Sequence, residues 1–352
     1  MTIIYFLILL SVIICIHEAG HLLAAKKFGV YCYEYSFGMG PVIWKKKTKE
    51  TQYSIRAVPI GGFVSMAGEP DGDEAYPDVV VPEGRRLVDK PAWQRIIIML
   101  AGVMMNFLLC LLILSMIILS NGAFAEPPAA VIDVVKAGSP AERAGFKNGD
   151  VIKEITLKGV STKPETFQDV QIFLAECKDD EITFTVERGS QLVNLTVVPE
   201  YDKEYESYMI GIQAPDYNVV PVNILNCWYY GAKEMGMLTR MMFEAIRQLV
   251  TGQNFSQLSG PVGIYSATEQ SVSYGLTSYL FLIAELSLNV GLFNLLPLPI
   301  LDGGQVVITL CEAIAGKKLD PKVKLGLMGV CWVLLIGLML FVTWNDVARL
   351  FQ

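Results

Sequence analysis

Charge is scarce in this chain of 352 residues: Asp, Glu, Lys and Arg make up 18% of it, against about a quarter in a soluble globular domain. The shortage is concentrated in blocks. Residues 3–16, 96–119 and 325–342 carry no charge, and residues 276–301 carry only Glu285. Such blocks exclude an ordinary soluble protein and go with 53% hydrophobic residues and a mean hydropathy of +0.43. Excess positive charge is also missing: the formal net charge is -7, so no nucleic-acid partner is expected. Of seven cysteines, Cys15, Cys110 and Cys331 sit inside the charge-free blocks and only Cys177 and Cys227 in the long central segment. One bridge could form there, but a disulfide framework is not indicated. Histidine is rarer still, with His17 and His21 the only two.

A bilayer's hydrocarbon layer takes about 20 helical residues to cross. The four apolar blocks therefore read as transmembrane segments at 1–25, 93–120, 276–304 and 323–343. The first is not read as a cleaved signal peptide. No basic residue precedes it, no small-x-small site follows it, and it runs straight into HEAGH. Basic residues set the orientation. Lys26, Lys27, Lys45, Lys46, Lys47, Arg85 and Arg86 lie between the first and second spans, and Lys317, Lys318, Lys322 and Lys324 between the third and fourth. Residues 121–274 hold 12 basic against 20 acidic residues. The first and third connections are expected in the cytoplasm, with both termini and the long middle segment outside.

Between the spans, residues 31–66 alternate like strands and are punctuated by Gly38, Gly40, Pro41, Pro59, Gly61 and Gly62. A small sheet near the cytoplasmic mouth is expected there, followed by an acidic, mobile loop over 69–83. Residues 126–201 read as a separate α+β domain. Its stretch GSPAERAGFKNGDVI resembles the PDZ family, whose members bind extended peptides or chain ends by strand addition. Residues 222–250 put Leu225, Trp228, Met235, Leu238 and Met242 at helical spacing, with Lys233, Arg240, Glu244 and Arg247 on another face. This predicts an amphipathic interfacial helix, which could also pack on the third span.

Two clusters carry chemistry. His17-Glu18-Ala19-Gly20-His21 is an HExxH motif. Residues four apart share a helix face, so both imidazoles can bind one metal, leaving room for a third protein ligand and a water. Glu18 lies beside the metal without being needed as a ligand and can take the water's proton. Ionisable groups inside a span are expensive and mark function. His17 lies about 21 Å along the helix from Ile3, within the membrane but nearer the cytoplasm. The second cluster is Asn294-Leu-Leu-Pro297-Leu-Pro299-Ile-Leu-Asp302-Gly303-Gly304. Its prolines interrupt the helix, which is tolerated in lipid only where the backbone is buried in protein or lines a wet cavity. Asp302, at a comparable depth, is the natural third ligand.

HEAGH in the first span, NLLPLPILDGG in the third and the PDZ-like insert together resemble the site-2 protease family, in its bacterial RseP-type branch of regulated intramembrane proteases. Phe37-Gly38-Met39-Gly40-Pro41, Gly61-Gly62-Phe63-Val64 and Leu258-Ser259-Gly260-Pro261-Val262-Gly263-Ile264 match further family segments. The resemblance implies a polytopic α-helical membrane protein with four transmembrane helices, an inserted α+β PDZ-like domain and a small cytoplasmic-side β-sheet. It implies Zn2+ held by His17, His21 and Asp302, catalysis by Glu18, and Asn289 and Asn294 holding the unwound substrate backbone. Gly61, Gly62 and Phe63 are expected to pair with substrate, or else to form an ordinary hairpin. The implied partners are the lipid bilayer and single-pass membrane proteins, among them anti-sigma factors or signal-peptide remnants. No feature sets an oligomeric state. Only one PDZ-like domain fits, where the longest members carry two. Two rivals stay open: a membrane zinc protease with a glutamate third ligand, disfavoured by Asp302-Gly303-Gly304, and an inactive scaffold that binds peptides through the insert.

Overall fold

A computed structural model describes residues 1–175, 177, 180–202, 207–250 and 260–349; Leu258 and Ser259 of the LSGPVGI stretch lie outside them. In chain order the elements are α1 (Thr2–Lys27), β1 (Cys32–Lys47), β2 (Gln52–Met66), α2 (Pro70–Ala75) and α3 (Ala92–Asn121). Next come β3 (Ala123–Glu126), β4 (Val134–Val135), α4 (Pro140–Ala144), β5 (Val151–Leu157), β6 (Val160–Thr162) and α5 (Phe167–Ala175). Then follow β7 (Ile182–Arg188), β8 (Gln191–Val197), β9 (Glu200–Asp202), β10 (Ser207–Met209), β11 (Ile212–Gln213) and β12 (Asn218–Pro221). The chain ends with α6 (Cys227–Val250), α7 (Pro261–Tyr274), α8 (Leu276–Asn294), α9 (Asp302–Ala315) and α10 (Pro321–Arg349). Two compact units result: Met1–Ser120 with Ile224–Gln352, and Asn121–Asn223.

The first unit is that of a polytopic α-helical membrane protein. Helices α1, α3, α8 and α10 are long and apolar enough to cross a bilayer. Leu9 and Ile13 of α1 interlock with Cys110 and Leu114 of α3 and Tyr279, Ile283 and Leu288 of α8. Met235 and Leu238 of α6 pack against the same cluster, so the amphipathic helix lays its apolar stripe on the bundle. The third segment departs from a continuous 276–304 span. Helix α8 ends at Asn294, and Asp302 opens the separate helix α9. The prolines at 297 and 299 supply no backbone N–H, which is why the intervening residues close into turns.

The sheet beside α1 is folded back on itself. Cys32–Phe37 pairs antiparallel with 62–66 on one side (Cys32↔Met66, Phe37↔Gly62) and with 52–55 on the other. Residues 42–47 pair in turn with 52–56. A second cluster (Leu22, Ala25, Cys32, Met66, Ile98) fastens this sheet to α1 and α3. The mobile loop expected at 69–83 instead contains α2. Just after it, Tyr76 stacks on Tyr33 with centroids 5.0 Å apart and donates its hydroxyl to Glu34. Burial alone would raise the Glu34 carboxyl, but hydrogen bonds from Ser54, Tyr76 and Arg56 outweigh it and hold the group below its ordinary range.

The second unit is the α+β insert, with a four-stranded sheet in the order β6-β5-β7-β8. Its core gathers Ile132, Phe146, Ile152, Val170, Ile182 and Phe184. It extends beyond the expected 126–201 because β11 returns to pair with β4 and β12 with β3.

Candidate metal centre

Positions 17 and 21 share a face of α1, and a second backbone comes unusually close to that face. A Cβ on Gly20 would lie 2.6 Å from the carbonyl carbon of Ala101 and 2.9 Å from Cα of Gly102. One on Gly102 would collide with Nε2 of His21 and lie 2.7 Å from His21 Cε1 and 2.8 Å from His17 Cε1. Glycine at both positions lets α1 and α3 touch at the level of the imidazoles. Asp302 arrives from the start of α9. Cβ atoms at Gly303 and Gly304 would run into the backbone of Leu295 and Leu298, so the LDGG glycines let the new helix start tight against the proline loop.

The three side chains converge. His17 Nε2 lies 3.1 Å and His21 Nε2 3.4 Å from Asp302 Oδ2, and the two Nε2 atoms are 3.2 Å apart. His21 Nδ1 lies 2.8 Å from the Ile98 carbonyl oxygen. A carbonyl only accepts, so Nδ1 carries a proton, and in the neutral imidazole Nε2 then offers a lone pair. Lone pairs aimed at one point repel each other unless a cation lies between them. Tetrahedral ligands 2.0–2.1 Å from zinc stand about 3.3 Å apart, so this donor set fits the ion. His17 and His21 are 8% and 7% exposed, and the buried Asp302 Oδ2 has no hydrogen-bond donor among the described residues.

Glu18 is steered from the sheet: its Oε2 accepts the Val64 N–H at 3.0 Å. The GGFV segment therefore lies on α1 itself. Ser11 Oγ donates to the Pro59 carbonyl at 2.8 Å and Tyr35 Oη to that of Cys15 at 2.8 Å. Gly61 bends β2 with a φ of +82°, Gly62 pairs with Phe37, and Phe63 lies under the Arg56 guanidinium, 5.0 Å from ring centroid to carbon. Asn289 and Asn294 sit on the last turns of α8. Neither amide joins the triad, and neither shows a hydrogen bond among the described residues.

Sequence reading passed over four contributors: the Val64 N–H, the Ile98 carbonyl, Gly102 and Asn106, whose amide nitrogen lies 3.3 Å from His17 Nδ1. Backbone groups leave no sequence signal. Asn106 did leave one, as the sole amide in the apolar run 96–119.

A helical membrane unit that buries a His–His–Asp triangle beside a glutamate defines a membrane metallohydrolase. Residues 5–338 match Peptidase family M50, and the chain belongs to that family. It is 31% identical to the regulator of sigma-W protease RasP of Bacillus subtilis over 424 residues, covering 99% of each chain. The zinc metalloprotease RasP of Bacillus licheniformis is likewise 31% identical, again with 99% of each chain covered. Among solved structures, the PDZ domain of an SdrC-like protein from Listeria monocytogenes covers 26% of this chain and 88% of its own, with 22% identity and a TM-score of 0.20. The chain is thus a bacterial membrane zinc metalloendopeptidase of the site-2 protease type.

Proposed function

We propose that the protein hydrolyses a peptide bond within or next to the transmembrane segment of single-pass membrane proteins, with His17, His21 and Asp302 as the zinc ligands and Glu18 as the catalytic base. The observation that carries this reading is the triangle of His17 Nε2, His21 Nε2 and Asp302 Oδ2, with edges of 3.1–3.4 Å. Zinc bound there supplies the Lewis acidity that activates water and polarises the scissile carbonyl. Glu18 does the proton work. With Oε2 held by Val64 N–H, Oε1 takes a proton from the attacking water and passes it to the departing amine nitrogen.

A helical substrate must open before its peptide bond can be reached, and each freed backbone group in a dry site costs several kcal/mol unless it finds a partner. Asn289 and Asn294 answer that need, since an amide both donates and accepts. Gly61, Gly62 and Phe63 present an extended strand beside Glu18, to which an opened substrate segment adds by β-pairing. The expected substrates are anti-sigma factors or signal-peptide remnants; one relative's name ties it to sigma-W. The basic connections support an active site toward the cytoplasm with both termini and the insert outside.

The test pairs zinc analysis with cleavage of a single-pass substrate in proteoliposomes. Glu18→Gln should keep one zinc per chain and lose about 10²–10⁴-fold in rate, whereas Asp302→Ala should lose the zinc. Near-normal turnover by the Gln variant, or full zinc content in the Ala variant, would remove these residues from the roles given.

A further inference from the structure

Asn106 on α3 is fully buried, one helical turn beyond Gly102 and on the same face. Its Nδ2 lies 3.3 Å from His17 Nδ1, while its Oδ1 is buried with no hydrogen-bond partner among the described residues. Its backbone carbonyl accepts Ser287 Oγ at 3.0 Å, which ties this point of α3 to α8. The arrangement around the amide is inconsistent with the rest of the site. If His17 offers Nε2 to the triangle, its Nδ1 carries the proton, as His21 Nδ1 does opposite the Ile98 carbonyl. An N–H would then face an NH2 group while an oxygen lies idle beside them.

The two ends of a carboxamide are alike in size and are assigned by the hydrogen-bond network around them. Exchanging them replaces the opposition of two donors with a hydrogen bond, and the orphaned oxygen gains a donor. We infer that Asn106 is a positioning residue for the metal centre, its Oδ1 accepting the Nδ1–H of His17. It would then do for His17 what the Ile98 carbonyl does for His21: fix the tautomer, hold the ring plane and make Nε2 a better donor. Both histidines would be oriented from α3, the helix that Gly102 brings against them.

This inference rests on His17 being a zinc ligand. It is tested on the full chain in lipid nanodiscs by competing zinc against a chelator for the parent, Asn106→Leu and Asn106→Asp. Leucine keeps the size but removes the acceptor, and zinc affinity should fall about 10–100-fold. Aspartate restores an acceptor, so that variant should match or exceed the parent. If Asn106 merely packs, or presents its NH2 to the ring, the order reverses: leucine is tolerated in an apolar helix, and the buried carboxylate is not. That reversed order overturns the inference. Because His17 and His21 are the only histidines, 15N spectra of the histidine-labelled, zinc-loaded parent give a second readout that needs no variant. Both rings should show a protonated Nδ1, and an unprotonated Nδ1 on His17 also overturns the inference. A parent that binds no zinc defeats the ligand assignment itself, and this inference falls with it. A parent that binds zinc with an affinity indifferent to position 106 defeats this inference alone.

Discussion

The two compact units are held together by different means. In the insert, water drives the packing: Ile152, Ile182 and Phe184 are at most 1% exposed, and Phe146 meets Phe184 edge to face at 5.3 Å. In the helical unit the surroundings are as apolar as leucine, so burying another leucine gains little. Only 11% of the apolar window of α10 is buried. Fit and isolated polar ties specify that unit instead: Gly20 against Gly102, Ser287 Oγ on the Asn106 carbonyl, and Tyr279 Oη on the Tyr5 carbonyl at 2.7 Å. Near the metal centre, adding one methyl group should therefore do more harm than removing apolar bulk does elsewhere in the helices.

The sharpest way to break that contrast is Gly102→Ala. The new methyl would overlap both imidazoles, and the His21 ring cannot swing away without losing the Ile98 carbonyl on the same helix. Overpacking of this kind costs about 1–3 kcal/mol, which chelator competition should read as a zinc affinity lower by roughly 5- to 150-fold. Gly329→Ala on α10 is the control, because a Cβ there meets nothing within 4 Å. Equal affinities in the two variants would show that close approach of α1 and α3 does not shape the site.

The pairing of His17 with His21 and the third donor at Asp302 were legible because helical periodicity and a proline-broken helix leave local marks in the sequence. The partners that orient them were not. Val64 reaches Glu18 only because residues 62–66 fold back along Cys32–Phe37, a pairing set by tertiary contact. The reach of the insert failed for a similar reason. β11 and β12 are only 2 and 4 residues long, too short to show alternation, and their partners β4 and β3 lie far back in the chain. Helices α7 and α9 were missed because they abut apolar segments, where a second helix reads as more of the same.

The insert offers a smaller effect, electrostatic in origin. Asp150 is fully buried. Burial alone would raise its carboxyl, but Arg188, with Nε at 2.8 Å and Nη2 at 2.7 Å, and the Lys147 N–H at 2.9 Å hold it below the ordinary range. A depressed folded value means that the stabilisation is complete above the unfolded value of about 3.9 and is lost as pH falls through the folded one. Hydrogen exchange of peptides from β7 and β8 should therefore show Asp150→Asn less protected than the parent at neutral pH, with the gap closing in acid below about pH 4. A gap that stays constant with pH would assign the loss to packing rather than charge.

The smallest expected effect is the most informative about the division of labour. Every group placed at the metal centre (His17, Glu18, His21, Val64, Ile98, Gly102, Asn106 and Asp302) belongs to the helical unit. If the insert lies outside, as proposed above, its expected effect is on which substrates enter, by excluding bulky ectodomains or holding a trimmed chain end, and not on the chemistry. A deletion bounded at 127 and 200 would remove β4 and strand β11 without its partner, leaving the β3–β12 pair as a remnant; the structure calls for removing residues 123–221. The cut ends are neighbours, because the Val222 N–H donates to the Gly122 carbonyl at 2.9 Å, so a short Gly/Ser linker joins α3 to α6. In proteoliposomes the truncated enzyme should keep its zinc and cleave a short, ectodomain-free substrate within about twofold of the parent, a change near 0.4 kcal/mol in barrier. It should also cut a substrate that still carries a folded exterior faster than the parent does. Loss of cleavage of the short substrate with zinc still bound would mean that the insert takes part in the site, and selection of substrates would give way to a direct structural role.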